Sequence, residues 1–269
     1  MKEVEKGGRA VSASLLVTLF LIGFVGSFIS GLVGIGGSII KYPMLLYLPP
    51  LFGVAAYTAH EVAGISAVQV FFASISGVLA LRKENVVHYK LVGYMGAAII
   101  IGSFAGGYGG RLLSADAINL VYGILAAIAA VMMFVPRQGR DDVPLEEVTF
   151  NRTVAVAAAL IVGIASGIVG AAGAFILVPI MLLILKIPTR ITIASSLAIT
   201  FISSIGATTG KVLAGEVLLW PSVIMVIASI IAAPLGAKLS TKINTKILRT
   251  ILSLLIVASA IKIWLDILG

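Results

Sequence analysis

The stretch Gly31-Leu-Val-Gly34-Ile-Gly36-Gly37-Ser38-Ile-Ile-Lys41-Tyr-Pro43 returns 136 residues later as Gly167-Ile-Val-Gly170-Ala-Ala172-Gly173-Ala174-Phe-Ile-Leu177-Val-Pro179. Four anchors coincide, since Gly31, Gly34, Gly37 and Pro43 fall on Gly167, Gly170, Gly173 and Pro179. Glycine allows the backbone to end one helix and begin another within a few residues. The doubled motif therefore predicts two related halves, each broken at the same place. Outward from it, Ala67-Val-Gln69 lies over Ala198-Ile-Thr200, and Gly109-Gly-Arg111-Leu over Gly236-Ala-Lys238-Leu, with offsets that drift through the loops.

What surrounds the motif is apolar almost throughout. The chain has 269 residues, 60% of them hydrophobic and 11% charged, whereas a soluble domain carries roughly 25% charged residues. Runs long enough for the roughly 20 helical residues that span a bilayer recur from end to end. They are apolar on nearly every face, as in 155–169 and 251–261, so they do not alternate as transmembrane strands do. The expectation is an all-α polytopic bundle with segments at 12–33, 36–52, 61–81, 90–112 and 116–135 in the first half. The second half has 153–170, 173–187, 192–213, 217–238 and 246–267. Residues 1–136 form the first repeat, 137–152 a polar linker and 153–269 the second, in a single membrane domain. Lys2, Lys6 and Arg9 before the first run look like a leader, but that run passes directly into the repeated motif, which argues for its retention.

Five crossings per half would turn the second copy upside down, the inverted repeat of many secondary transporters. Charge tests this. The net charge is +8, and Arg82, Lys83, Lys90, Arg137, Arg140, Arg152, Lys186, Arg190, Lys238, Lys242, Lys246 and Arg249 share one side, twelve of nineteen basic residues. That side is expected to be cytoplasmic and both termini outside. Lys211 and Lys262 fall opposite, with Arg111. Segments 36–52 and 173–187 are short enough either to span or to re-enter.

A broken helix at membrane depth must be buried in protein or line a watery cavity, and a half-helix N-terminus attracts anions. Gly36, Gly37, Ser38, Gly173 and Ala174 are thus expected to cradle an anion, with Gly34, Pro43, Gly170 and Pro179 as hinges. Alternatively the glycines only let helices pack closely, the reading preferred for the cluster at Gly102, Gly106, Gly107, Gly109 and Gly110. Facing the cradle, Gln69 and Thr200 stand out because they match in the repeat; Ser204 belongs to the same polar run. Serine and threonine also bond their own helix backbone. Lys41 is an intramembrane charge, hence a functional hypothesis, either a counter-charge or a snorkelling side chain. His60 and Glu61 could couple protons, although acids favour helix starts anyway.

With no cysteine and two histidines, neither a thiol catalyst nor a metal site is expected, and no cofactor or nucleic-acid partner. No Ser/His/Asp set suggests an enzyme. Gly206-Ala-Thr-Thr-Gly210-Lys211 fails as a phosphate loop, lacking one spacer and the Ser/Thr after lysine.

At the doubled Gly-x-x-Gly-x-Gly-Gly turn with its proline, the chain resembles the TauE/SafE sulfite exporter family, also called TSUP. The resemblance extends to Ala63-Gly-Ile-Ser66 and Ala194-Ser-Ser-Leu197 opening the following segments, and covers nearly the whole length. It implies a carrier of small sulfur-containing anions such as sulfite, sulfoacetate or other organosulfonates, usually exported, with a small anion and the lipid bilayer as partners and homo-oligomers possible. A channel, a carrier of an unrelated organic anion and a non-transporting subunit remain as alternatives. The second copy departs from the pattern at Ala172 and Ala174, where the first has Gly36 and Ser38.

Overall fold

Short polar residues start the helices where the apolar runs begin. Ser12, Ser114 and Asn151 accept hydrogen bonds from the backbone N–H of Leu15, Ala117 and Val154, and His88 Nδ1 accepts from Leu91, which satisfies donors a helix start leaves orphaned. The computed structural model describes residues 12–34, 38–81, 86–135, 143–171 and 173–268. Among these the chain is helical without strands: α1 (Ala13–Val33), α2 (Ser38–Leu51), α3 (Ala59–Leu81), α4 (Tyr89–Gly109), α5 (Ala115–Phe134), α6 (Arg152–Val169), α7 (Ala174–Pro179), α8 (Thr189–Leu213), α9 (Leu219–Ser240) and α10 (Thr245–Leu268). Past Pro179, α7 continues as a wider π turn over Ile180–Ile184, because proline cannot donate to the ladder and crowds the preceding turn.

All ten elements lie where the apolar runs predict them. Eight are long and apolar enough to cross a membrane, and α2 and α7 are not among them. The 14 residues of α2 reach only about 21 Å, short of the roughly 30 Å hydrocarbon core.

Glycine contacts fix how the long helices run. Gly23 lies against Met225 and Ala228, and Gly31 against Ala233 and Ala237, so α1 and α9 are parallel. Gly163 meets Ile99 and Gly167 meets Ser103 and Gly107, so α4 and α6 are parallel; Gly96 and Gly210 align α4 with α8 in the same way. In contrast, Gly77 of α3 meets Leu197 near the start of α8, while Gly64 meets Glu216 beyond its end. Leu81, Ala194 and Ala237 share one cluster, and Arg190 Nη1 donates to Thr241 O at 2.6 Å, which puts the end of α9 beside the start of α8. Thus α1, α3 and α9 run one way and α4, α6 and α8 the other. Because α1 and α3 are parallel, the chain has to travel back between them, and α2 is the element that carries it.

The closest packing is α4 on α6, α1 on α9 and α4 on α8. At the first two interfaces a Cβ on Gly106 would stand 1.9 Å from Ile164 O, and one on Gly236 1.9 Å from Phe28 O. Backbones touch there, as small residues permit in membranes. Gly102, Gly106 and Gly107 are therefore packing glycines, whereas Gly109 faces open space.

Candidate functional site

The two glycine turns are geometric copies. Gly34 ends α1 at φ 74°, ψ 16°, and Gly170 ends α6 at φ 72°, ψ 18°, a left-handed conformation that costs other residues strain. Each turn reaches into the opposite half. Gly34 packs on Ile193 and Ser196 of α8, and Gly170 on the backbone of Ala63 in α3. Ser196 donates to Gly34 O at 2.7 Å, tying the first turn to the second half. Gly36, Gly37 and Ala172 lie outside the described residues. Ser38 and Ala174 are the first residues of α2 and α7, and Gly173 precedes α7 at φ 73°. Pro43 and Pro179 each occupy the sixth position of their short helix.

Burial and bonding sort the polar residues. Ser74, Ser76, Ser204 and Thr209 give their hydroxyls to carbonyls of their own helices; Ser204, at 2.7 Å from Phe201 O, has spent its donor locally. Ser195 accepts from His88 N, fixing the start of α4. A second group is buried with no partner for its polar atom: Ser30 Oγ on α1, Lys41 Nζ on α2, Ser66 Oγ and Gln69 Oε1 on α3, and Thr200, Ser203 and Thr208 Oγ on α8. An unsatisfied buried polar group costs about 1–3 kcal/mol, and a charged one more. Such groups ask for an explanation.

Lys41 is fully buried, which removes the snorkelling alternative. Its stem lies flat on α1, where a Cβ at Gly26 would stand 2.2 Å from its Cγ. One residue on, Ser27 receives a hydrogen bond from Gln69 Nε2 at 3.1 Å, and the same amide reaches Gly23 O at 3.3 Å. Ser27 also contacts Ser229 Oγ at 2.7 Å. Gly23, Gly26, Ser27 and Ser30 share one face of α1, by the three- and four-residue spacing of a helix, so Lys41 and Gln69 both lie against a single small-residue stripe. Phe71 and Phe201 approach at 5.4 Å between centroids where α3 and α8 cross, bringing the Gln69 and Thr200 helices together.

The proposed proton pair separates. Glu61 forms a capping box: Thr58 N donates to Glu61 Oε2 at 2.8 Å and Glu61 N to Thr58 Oγ1 at 3.3 Å, so it holds the start of α3. His60 turns instead to Glu216, 2.9 Å from its Nδ1. Lys211, which falls on the side opposite the basic loops, is buried at the end of α8 and paired with Glu216 at 2.6 Å. Ser30 and Ser166 also align at the 136-residue offset that aligns the turns. A cavity of about 580 Å³ lined by His88, Tyr94, Glu146 and Arg152 opens elsewhere, between α4 and the segment before α6. The unpartnered atoms above have no solvent access. Among the described residues no cluster of His, Asp and Glu could hold a metal.

Relatives agree with this architecture. The family model described as "Sulfite exporter TauE/SafE" matches residues 19–263. The chain is 26% identical over 219 residues to "Probable membrane transporter protein YunE" of Bacillus subtilis, covering 75% of this chain and 80% of the relative. It is 32% identical over 190 residues to a "Probable membrane transporter protein" of Xylella fastidiosa strain Temecula1, covering 68% and 69%. A third relative, "Probable membrane transporter protein MJ0441" of Methanocaldococcus jannaschii, is 26% identical over 193 residues, covering 71% and 70%. No solved structure matches. With a multi-pass helical bundle and a family match over nearly its whole length, the chain belongs to the TauE/SafE sulfite exporter family, whose members are membrane transporters and not enzymes.

Proposed function

We propose that this transporter is a secondary carrier of small sulfur-containing anions, such as sulfite, sulfoacetate or other organosulfonates, working by alternating access in the export direction. The observation that carries the reading is Lys41: an ammonium with no exposed surface and no acceptor among the described residues, on the same stripe of α1 that anchors Gln69. A bound anion would neutralise it. Ser30 on α1, Ser66 on α3, and Thr200 and Ser203 on α8 carry unpartnered hydroxyls, neutral groups that would hold a solute without retaining it. The start of α2, a half-length helix, would add backbone donors from Gly36, Gly37 and Ser38. The matching start of α7 at Gly173 and Ala174 would close the opposite side. Sulfur oxyanions and sulfonates as the class rest on the family name.

The unpartnered polar atoms are buried, which favours an occluded carrier over a continuous pore. The opposed directions of α3 and α8, equivalent helices of the two halves, support inverted repeats rocking about the site, with Gly34, Gly170, Pro43 and Pro179 as the flexing points. Lys90, Arg152, Arg190 and Lys242 stand at one rim, where α4, α6 and α8 start and α9 ends. This supports a cytoplasmic placement of that rim and external termini. The test is thermal stability in detergent against sulfite, sulfate, thiosulfate, sulfoacetate, taurine and simple carboxylates, since a ligand of the native state raises apparent stability. A selective rise with sulfite or a sulfonate, absent in the Q69A/T200A double variant, supports the reading; a flat panel refutes the substrate class.

A further inference from the structure

We propose that Glu216, held between Lys211 and His60, forms a proton-binding site that governs opening of the rim opposite the basic loops. This deepens the alternating-access reading and rests on it. The three side chains come from both halves: His60 opens α3, Lys211 closes α8, and Glu216 follows in the turn to α9. They form a graded path inward, with side chains 27% exposed at His60, 9% at Glu216 and 0% at Lys211. A proton arriving from water meets the imidazole first.

The charge count decides the consequence. Lys211 with ionised Glu216 and neutral His60 sums to zero, so one bound proton leaves +1, whichever side chain holds it. Among the described residues, the charged neighbours on α3 and at the end of α4 are engaged elsewhere. Glu61 is folded back onto Thr58, and Arg111 stacks on Tyr108 at 3.9 Å. At the end of α4 Gly110 packs on Lys211 Nζ, and at the end of α6 Gly170 packs on Ala63 of α3; neither brings a charge. An uncompensated charge away from water is costly, and it is relieved by admitting water or an anion between α3 and the end of α8. Deprotonation restores the pair and closes the rim.

Among the described residues the repeat does not reproduce this cluster at the other rim. The offset that pairs Gln69 with Thr200 puts Ala80 at the Lys211 position and Ile191 at the His60 position. Two halves with equal gates would favour neither state; this ionic cluster makes them unequal and proton-dependent.

The chain has no cysteine, so Ala67→Cys supplies a single reporter. Ala67 is fully buried, two turns from His60 on α3. In proteoliposomes without solute, its reaction with an impermeant maleimide is followed between about pH 8 and pH 5.5, the range in which histidine changes charge. Rates are corrected by labelling the same protein unfolded. The expected result is about a tenfold rise on acidification, the population change that about 1.4 kcal/mol produces. Glu216→Gln, which leaves Lys211 unpaired at every pH, is expected to label fast throughout. The neutral set His60→Gln, Lys211→Met and Glu216→Gln is expected to label slowly throughout, and it keeps the test decisive if the single variant does not fold. A pH-independent rate in the reporter, or a triple variant that keeps the tenfold rise, overturns the proposal. Because no solute is used, a failure here leaves the anion reading standing, and a flat anion panel leaves this result standing.

Discussion

Replacing Lys41 by methionine should move stability in opposite directions with and without ligand. Methionine keeps the length and apolar stem that lie on Gly26 and removes only the ammonium, which is buried without an acceptor. An unsatisfied buried polar group costs about 1–3 kcal/mol or more if charged, and each kcal/mol corresponds to about 2–4 °C for a chain of this size. The ligand-free variant should therefore melt about 2–12 °C above the parent. With sulfite at about 100 times its dissociation constant the parent should gain about 2.7 kcal/mol, and the variant should gain none. The assay is melting of the purified protein in detergent, with and without sulfite, at matched detergent and pH. A variant that melts below the parent without ligand would show that Lys41 holds the fold together through a contact of its own. A variant that keeps the whole sulfite shift would refute the assignment of Lys41 to the anion.

Three further outcomes follow from the same geometry. Gly236→Ala, whose Cβ would meet Phe28 O at 1.9 Å, should force α1 and α9 apart and lower the melting temperature by several degrees. By contrast, Gly93→Ala in open space on α4 should gain up to about 1 kcal/mol from helix propensity; equal effects would refute the close-packing account. Ser196→Ala removes the 2.7 Å bond to Gly34 O and should cost about 1 kcal/mol, read by thermal melting. Ser204→Ala should leave the sulfite shift unchanged, because that hydroxyl is occupied by Phe201 O; a lost shift would return Ser204 to the site.

The order of residues alone marks the class of solvent, the number and position of the helices, the repeated motif and the breaks at Gly34 and Gly170. These are legible because they depend on local properties: apolar length against bilayer thickness, and a left-handed turn that glycine alone takes cheaply. It also marked Lys41, Gln69 and Thr200, one as a charge out of place and two as matching polar positions.

Packing settles which polar groups are available. Ser204 and Thr200 look alike in one dimension, yet of the two Thr200 alone lacks a hydrogen-bond partner among the described residues, because bonding depends on rotamer and neighbours. Packing also joined Lys211 to Glu216 and His60, and gave Glu61 to the cap of α3. Those partners come from opposite halves, 156 residues apart for His60 and Glu216, and no local pattern encodes a contact of that separation. Only the packing of α3 against the end of α8 brings the three charges together.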